Sequence, residues 1–447
     1  MGSISSPISL HVIVVGGGIC GLSAAIALRR AGHRVTVYEK YSADADAGAG
    51  IVICSNAVRV LRQWGLDLER AGMFQHKTGY IVNGATLKVL NVAFGEDSRL
   101  HKRNDDGDAM YLTTRQDLKM LLRDEAERAV LGEGTVDFRY GWEVVDYDPE
   151  RPAVKFGDGT WVESDLVVAC DGIRSRATKV ICGYEDPAQP TGRSALRLLI
   201  RDEDLEAVKE RYKDNKFISD RFHHDGTIWF AHEHERLVVW WTCRFGKIHA
   251  FDVIMPDDGK YLSKEDWTAK CDKQVFLKDF EHWHPLYRDL FDAADEAPML
   301  WKVCAREPLK TLRKDKLCQL GDALHPMPPF RAQGGTQSIE DAGALEVVLA
   351  GITDKSELPH RLAILDKLRV PRYSCAQLMS TVRQDDRNME ERFAEVLKEC
   401  RKWFDGEAQS HRESLSDDSF ELSSDVRSGQ SRELAEVVVV VRREGSG

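Results

Sequence analysis

Gly16, Gly18 and Gly21 stand in the spacing G-x-G-x-x-G directly behind the apolar run His11-Val-Ile-Val-Val15. Glycines so spaced suit a pyrophosphate. Gly16 makes the tight turn, Gly18 lets the diphosphate approach the backbone, and Gly21 lets the following helix pack against the strand. Glu39 closes the next apolar run, Arg34-Val-Thr-Val-Tyr38, at the place where a carboxylate meets ribose hydroxyls. An acid there favours adenosine with a free 2′-hydroxyl, hence FAD or NAD over NADP.

A second set of chemistry-bearing residues lies in Leu317–Glu346. An apolar run (Leu317, Cys318, Leu320) ends in Gly321-Asp322, and Pro326, Pro328 and Pro329 stiffen the loop behind it. Gln333-Gly334-Gly335 then opens a helical pattern whose free N–H groups can hold negative charge. Asp171-Gly172 ends another strand, Asp165–Cys170, and Gly48-Ala49-Gly50 is a further glycine-rich loop. Asp171 and Asp322 serve equally well as turn formers beside glycine or as ligand contacts. Arg115 sits in the first turn of a helix capped by Thr114 and Asp117, where a cation is disfavoured. It is either solvated or reaches a ligand phosphate or sugar. Arg197 interrupts the apolar strand pattern Ser194–Ile200. A buried arginine needs a partner, so it is either half of a structural ion pair or part of a site.

The elements that carry these residues define an α/β fold. It has a Rossmann-type dinucleotide-binding domain, an inserted mixed or antiparallel sheet domain, and a C-terminal helical segment. Residues 1–75 form the first part of the dinucleotide-binding domain and 76–100 supply strands to the substrate domain. Residues 101–192 are its second part, with a small antiparallel sheet across Val136–Phe156 and a hairpin at Gly157-Asp158-Gly159. Residues 193–300, rich in aromatics, form the substrate domain, and 301–352 return to the dinucleotide-binding domain with Gly321-Asp322. Helices follow over 353–405, interrupted at Pro371, and 406–447 read as a disordered acidic tail.

The chain has 447 residues, long enough for two or three packed regions, and its 43% hydrophobic and 30% charged composition is that of a soluble globular protein. A net charge of −11 argues against nucleic acid as a partner. Ten scattered cysteines without a CxxC pair predict reduced, buried thiols, no metal site and a cytoplasmic location. Val12–Leu28 carries four glycines and is short for a span, and Val437–Val441 is shorter still, so no membrane span is expected.

Three spaced motifs, GGGICG at 16–21, CDGIRSR at 170–176 and GDALHPMPPFRAQGGTQSIEDA at 321–342, resemble the group A flavoprotein monooxygenases. These are the FAD-dependent aromatic monooxygenases of the para-hydroxybenzoate and salicylate hydroxylase type, and the likeness is to their fungal biosynthetic members. Arg115 before Gln-Asp-Leu and DKLRVPRYS at 366–374 fit the same pattern, so the resemblance spans roughly residues 10–385. It implies a monooxygenase that uses FAD, NADPH or NADH, and O2 to hydroxylate an aromatic or polycyclic secondary metabolite through a flavin hydroperoxide. An epoxidase, or a flavin reductase or dehydrogenase without oxygen insertion, is the alternative. A halogenase is disfavoured because WxWxIP is absent, and a non-catalytic FAD-binding protein because the motifs are complete.

The resemblance also implies roles. Gly16, Gly18, Gly21 and Glu39 would hold the ADP half of FAD, with Gly50 near the flavin and Arg115 on the cofactor. Asp322 would address the ribityl–pyrophosphate linker, Gly334 and Gly335 the pyrimidine edge, and Asp171 both FAD and nicotinamide. With no second G-x-G-x-x-G, the nicotinamide would bind transiently on the surface. Arg197 is the implied catalytic arginine, orienting a phenolate or stabilising the leaving charge of the hydroperoxide. Trp241 aligns with a tyrosine of many relatives, and an indole cannot act as a phenolic acid or base. Tyr80, His223 and His224 are further candidate contacts, whereas His325 reads as part of the family loop and not as a base.

Overall fold

The computed structural model describes residues 6–43, 48–94, 109–222, 226–259, 271–295, 298–382 and 389–411. Within it the N-terminal apolar run is the strand His11–Val15, inside a six-stranded sheet. It pairs in parallel with Leu166–Ala169 on one side and Arg34–Glu39 on the other. Leu317–Gln319 extends the sheet in parallel beyond Leu166–Ala169. Both faces are covered, which is why these strands are continuous apolar runs without alternation. Val12 and Val14 face the helices Ile19–Arg30 and Gln333–Leu349, while Ile13 and Val15 face Tyr147, Val154 and Phe156 of a smaller sheet.

That smaller sheet is antiparallel but narrower than the alternation of Val136–Phe156 suggests. It consists of Val144–Asp148, Ala153–Phe156 and Trp161–Glu163. Thr135–Tyr140 instead joins the main sheet as its parallel edge strand beside Arg34–Glu39. An edge strand in a parallel sheet can show the same period-two pattern as a hairpin strand, and the pattern alone does not separate them.

The second large sheet has seven strands, ordered Met299–Ala305, Gln189–Arg201, Ile248–Pro256, Arg236–Cys243, Thr227–Glu233, Thr78–Asn83 and Val89–Phe94. All its pairs are antiparallel except Thr227–Glu233 with Thr78–Asn83. Successive side chains point to opposite faces. Leu196, Leu198, Trp240, Phe251 and Val253 therefore enter an aromatic core with Phe276, Phe280 and Phe291, while Arg197, Trp241 and Asp252 face the other way.

Two of the contacts among the described residues that join this sheet to the rest of the molecule involve Arg244 and Trp241. Arg244 donates two hydrogen bonds to Asp117 (2.8 and 2.9 Å), whose backbone N–H is itself bound by the capping Thr114. A Cβ on Gly50 would lie 2.4 Å from the Trp241 ring, so the glycine is what lets the indole pack there. The helix Leu358–Met379 runs unbroken through Pro371, contrary to the expected interruption. Burial of Leu362, Leu365, Val370 and Tyr373 along one side outweighs the single hydrogen bond that proline removes. The last described helix, Met389–His411, extends past Asp405; residues 412–447 lie outside the described residues.

Candidate active site

A cleft of about 2950 Å³ opens between the two large sheets. Single ligand pockets run to roughly 1000 Å³, so this one has room for an extended cofactor with a substrate beside it. Gly16, Gly18, Glu39, Gly50, Arg115, Asp171, Arg197, Trp241, Asp322, Gly334 and Gly335 all line it. Gly21 does not, for a local reason. A Cβ there would lie 1.8 Å from the Gly16 carbonyl oxygen, so Gly21 serves the seat of helix on strand. Gly16 adopts φ +101°, and its Cβ would meet the Cys170 oxygen at 2.4 Å. A Cβ on Gly18 would meet nothing within 4 Å, which leaves open space over the loop.

Two helix N-termini aim at this space, and both are bare. Ile19–Arg30 begins at Gly18 and Gln333–Leu349 at Ala332, each without a side-chain cap or an acid in the first turn. Ala332 holds the left-handed conformation (φ 52°), an arrangement that costs a non-glycine residue energy and occurs at functional sites. Uncapped first-turn N–H groups attract anionic ligands. Glu39 accepts hydrogen bonds from the backbone N–H of Gly17 (2.6 Å) and Tyr41 (2.8 Å), which anchors its carboxylate over the glycine loop.

The two acids, Asp171 and Asp322, differ in their partners. Tyr147 donates a 2.7 Å hydrogen bond to Asp171, and burial raises both groups above their ordinary ranges. Asp322 lies in the short turn Gly321–Ala323, surrounded by protein yet exposed to the cleft. Burial pushes its carboxyl up, against the opposing charges of His325, Arg115 and Arg197. A Cβ on Gly334 would approach only Asp322, at 3.8 Å.

His325 is turned away from the cleft. Its Nε2 lies 2.7 Å from Asp341, which also accepts from the Gly321 N–H (3.0 Å) and from Arg369 Nε (2.7 Å). Asp341, which sequence reasoning did not single out, thus fixes the Gly321-Asp322 turn, and Arg369 of the late DKLRVPRYS pattern completes the network. Burial opposes ionisation of Asp341, but the charges of His325 and Arg369 win and hold its carboxyl well below the usual range. A carboxyl depressed in the fold contributes stability that is complete above its ordinary value, near 3.8, and is lost as pH falls through the folded value. Asp341→Asn is therefore expected to cost about 3 kcal/mol at pH 7, because it removes the charged acceptor shared by His325, Gly321 and Arg369 and leaves Arg369 with Glu340 alone as its carboxylate partner. Urea denaturation should show that deficit at pH 7 and a shrinking gap below the ordinary carboxyl range. An unchanged midpoint at pH 7 would count against the network.

On the opposite wall Arg197 Nε lies 2.9 Å from Asp252 Oδ1, and its guanidinium stacks 4.0 Å over the Trp301 ring. The strand register places Arg197 opposite Asp252. Neither Asp252 nor Trp301 was singled out from sequence. The one available signal was a lone carboxylate within the apolar run Phe251–Met255. Tyr80 packs against the aromatic core on the other side of its sheet, where it cannot line the cleft, while its neighbour Ile81 does. His223 and His224 lie outside the described residues.

FAD fits what is present: open space over Gly18, two bare helix starts for its anionic parts, and a carboxylate facing the cavity between them. The chain matches the FAD binding domain family over residues 9–252 and 287–364. It is 32% identical over 404 residues to the FAD-dependent monooxygenase cfoG of Aspergillus candidus, covering 88% of this chain and 90% of that one. Hispidin-3-hydroxylase of Neonothopanus nambi is 29% identical over 379 residues, covering 81% and 86%. Among solved structures, CtdE with FAD and a substrate superposes with a TM-score of 0.71 at 22% identity, covering 92% of this chain and 100% of that one. A salicylate hydroxylase substrate complex gives 0.68 at 21%, covering 89% and 95%. Among the described residues no helix is long and apolar enough to cross a membrane. This chain belongs to the FAD binding domain family and is, within it, a FAD-dependent monooxygenase.

Proposed function

We propose that the enzyme hydroxylates an aromatic or polycyclic metabolite, with NADPH or NADH as electron donor and O2 as oxygen source, in the cytoplasm. One observation carries the reading. The cleft that Gly334 and Gly335 line is lined as well by the apolar side chains of Ile228, Phe230, Val239, Trp241, Ile254 and Met299, interrupted by the Arg197–Asp252 pair. Such a lining takes a flat apolar ring and orients it through few polar groups. FAD, when bound, supplies the chemistry: it accepts a hydride from the nicotinamide and activates O2 for transfer of one oxygen atom.

The protein's part is binding, orientation and exclusion of water. Gly16 and Gly18, with Glu39, would hold the ADP half, and Gly21 seats the helix whose start faces it. Asp322 would address the ribityl–pyrophosphate linker, Arg115 would contact the cofactor, Gly50 would lie near the flavin, and Asp171 would serve both FAD and nicotinamide. The bare helix start at Gly334 and Gly335 favours negative charge at the pyrimidine edge. Arg197 orients a substrate oxygen, and Trp241 offers a ring face and one N–H.

The test follows NADPH or NADH oxidation by the FAD-loaded protein under 18O2 with a panel of hydroxyarenes. Substrate-stimulated oxidation with one 18O atom in a phenolic product is expected. Nicotinamide oxidation without incorporation identifies a reductase instead, and an epoxide product shifts the reaction class.

A further inference from the structure

We infer that Asp252 sets the substrate class of this cavity: by neutralising Arg197 inside the cleft, it selects an uncharged hydroxyarene and rejects an aryl carboxylate. The inference rests on reading that apolar lining as the substrate site.

The pair is built into the sheet. Arg197 and Asp252 are cross-strand neighbours on the face turned to the cleft, 2.9 Å apart, with side chains only 18% and 15% exposed. Trp301 covers the guanidinium at 4.0 Å and fixes its plane. An arginine in an apolar cavity is a natural counter-ion for a carboxylate substrate, because its planar fork matches two carboxylate oxygens. Here the protein already sets a carboxylate against the guanidinium, Asp252 Oδ1 at 2.9 Å from Nε. A second one from the ligand would find the cation compensated and Asp252 close by, in surroundings that screen repulsion poorly.

Arg115, whose charge also bears on Arg197, is the cation assigned above to the cofactor, and other cations lining the cleft have donors already engaged. Lys302 is matched by Asp257 at 3.5 Å. Arg306 donates to the carbonyls of Ala323 and Leu324, and Arg331 to those of Met379 and Val382. A hydroxyl group suits the pair better than an anion does. It can donate to a carboxylate oxygen of Asp252 and accept from Arg197, which leaves the cavity's net charge unchanged.

Two probes with the same ring separate the possibilities: 2-naphthol and 2-naphthoate, titrated calorimetrically into the FAD-loaded enzyme. The wild type is expected to bind naphthol at least about tenfold more tightly. Asp252→Asn exposes the Arg197 charge and should invert the order, with naphthoate gaining about tenfold and naphthol weakening. A merely structural role for Asp252 would weaken both probes together. Should the Asn variant not load FAD, Asp252→Ser uncovers the same charge and carries the same expectation. Arg197→Lys keeps the pair and should keep the preference for naphthol. Equal or tighter binding of naphthoate by the wild type, no binding of either probe, or an unchanged ratio in the Asp252 variants would each overturn the assignment. The oxygenation reading fails separately. Naphthol binding without 18O incorporation removes that reading and leaves this one standing, whereas incorporation with no charge preference does the reverse.

Discussion

Gly21→Ala is expected to purify with less than about a tenth of the wild-type FAD content, even when FAD is supplied in excess. The cause is geometric. The added Cβ would lie 1.8 Å from the Gly16 oxygen and 3.4 Å from Val14 Cγ1, so the helix Ile19–Arg30 must lift off its strand. Lifting it moves the bare helix start and the Gly16 turn together, and both belong to the pyrophosphate seat. The contrast with Gly18→Ala makes the prediction specific. A Cβ at Gly18 meets no protein atom within 4 Å, so that variant should keep the wild-type melting temperature while losing FAD affinity. Gly21→Ala should lose both. The ratio of flavin to protein absorbance, read beside a thermal melt, distinguishes the two. A Gly21→Ala protein with full flavin content and an unshifted melt would refute the account of the helix seat.

How much of this was legible in the chain follows from how local each constraint is. The glycine loop could be read because its demands are local: one positive φ, one close backbone crossing and one open approach, each met by glycine at a fixed spacing. Gly334 and Gly335 were legible as the opening of a helix, and that helix start lines the cleft. The fold class followed from apolar runs that need cover on both faces. Asp252 was not legible, since only the register of two antiparallel strands brings it to Arg197, and register is a property of the assembled sheet. Asp341 was missed because its partners converge from two segments, the turn carrying Gly321 and His325 and the helix carrying Arg369, and none stands beside it in sequence. Pro371 was misjudged because a local rule for helix breaking was applied where packing along the whole helix decides.

Arg197→Ala is expected to lower product formation about 10²- to 10³-fold, the usual consequence of removing one oriented donor from a closed site. FAD content should remain near wild type. Arg197 touches Asp252 and Trp301, both in the seven-stranded sheet, and reaches Asp322 through its charge alone. The variant should also stay folded. Burial already pushes the Asp252 carboxyl up, so without its partner it can take a proton and avoid standing as an unpaired buried charge. Arg197→Lys separates charge from shape. An ammonium can meet Asp252, but it lacks the planar fork that stacks on Trp301 while directing an N–H toward the substrate. Its rate should fall between wild type and the Ala variant. The quantity to measure is 18O-labelled product per nicotinamide oxidised, alongside bound flavin and melting temperature. A lowered yield with intact flavin and melt assigns the loss to orientation of the substrate. A lost fold would return Arg197 to the role of a structural ion pair, and wild-type product from the Ala variant would remove it from the reaction altogether.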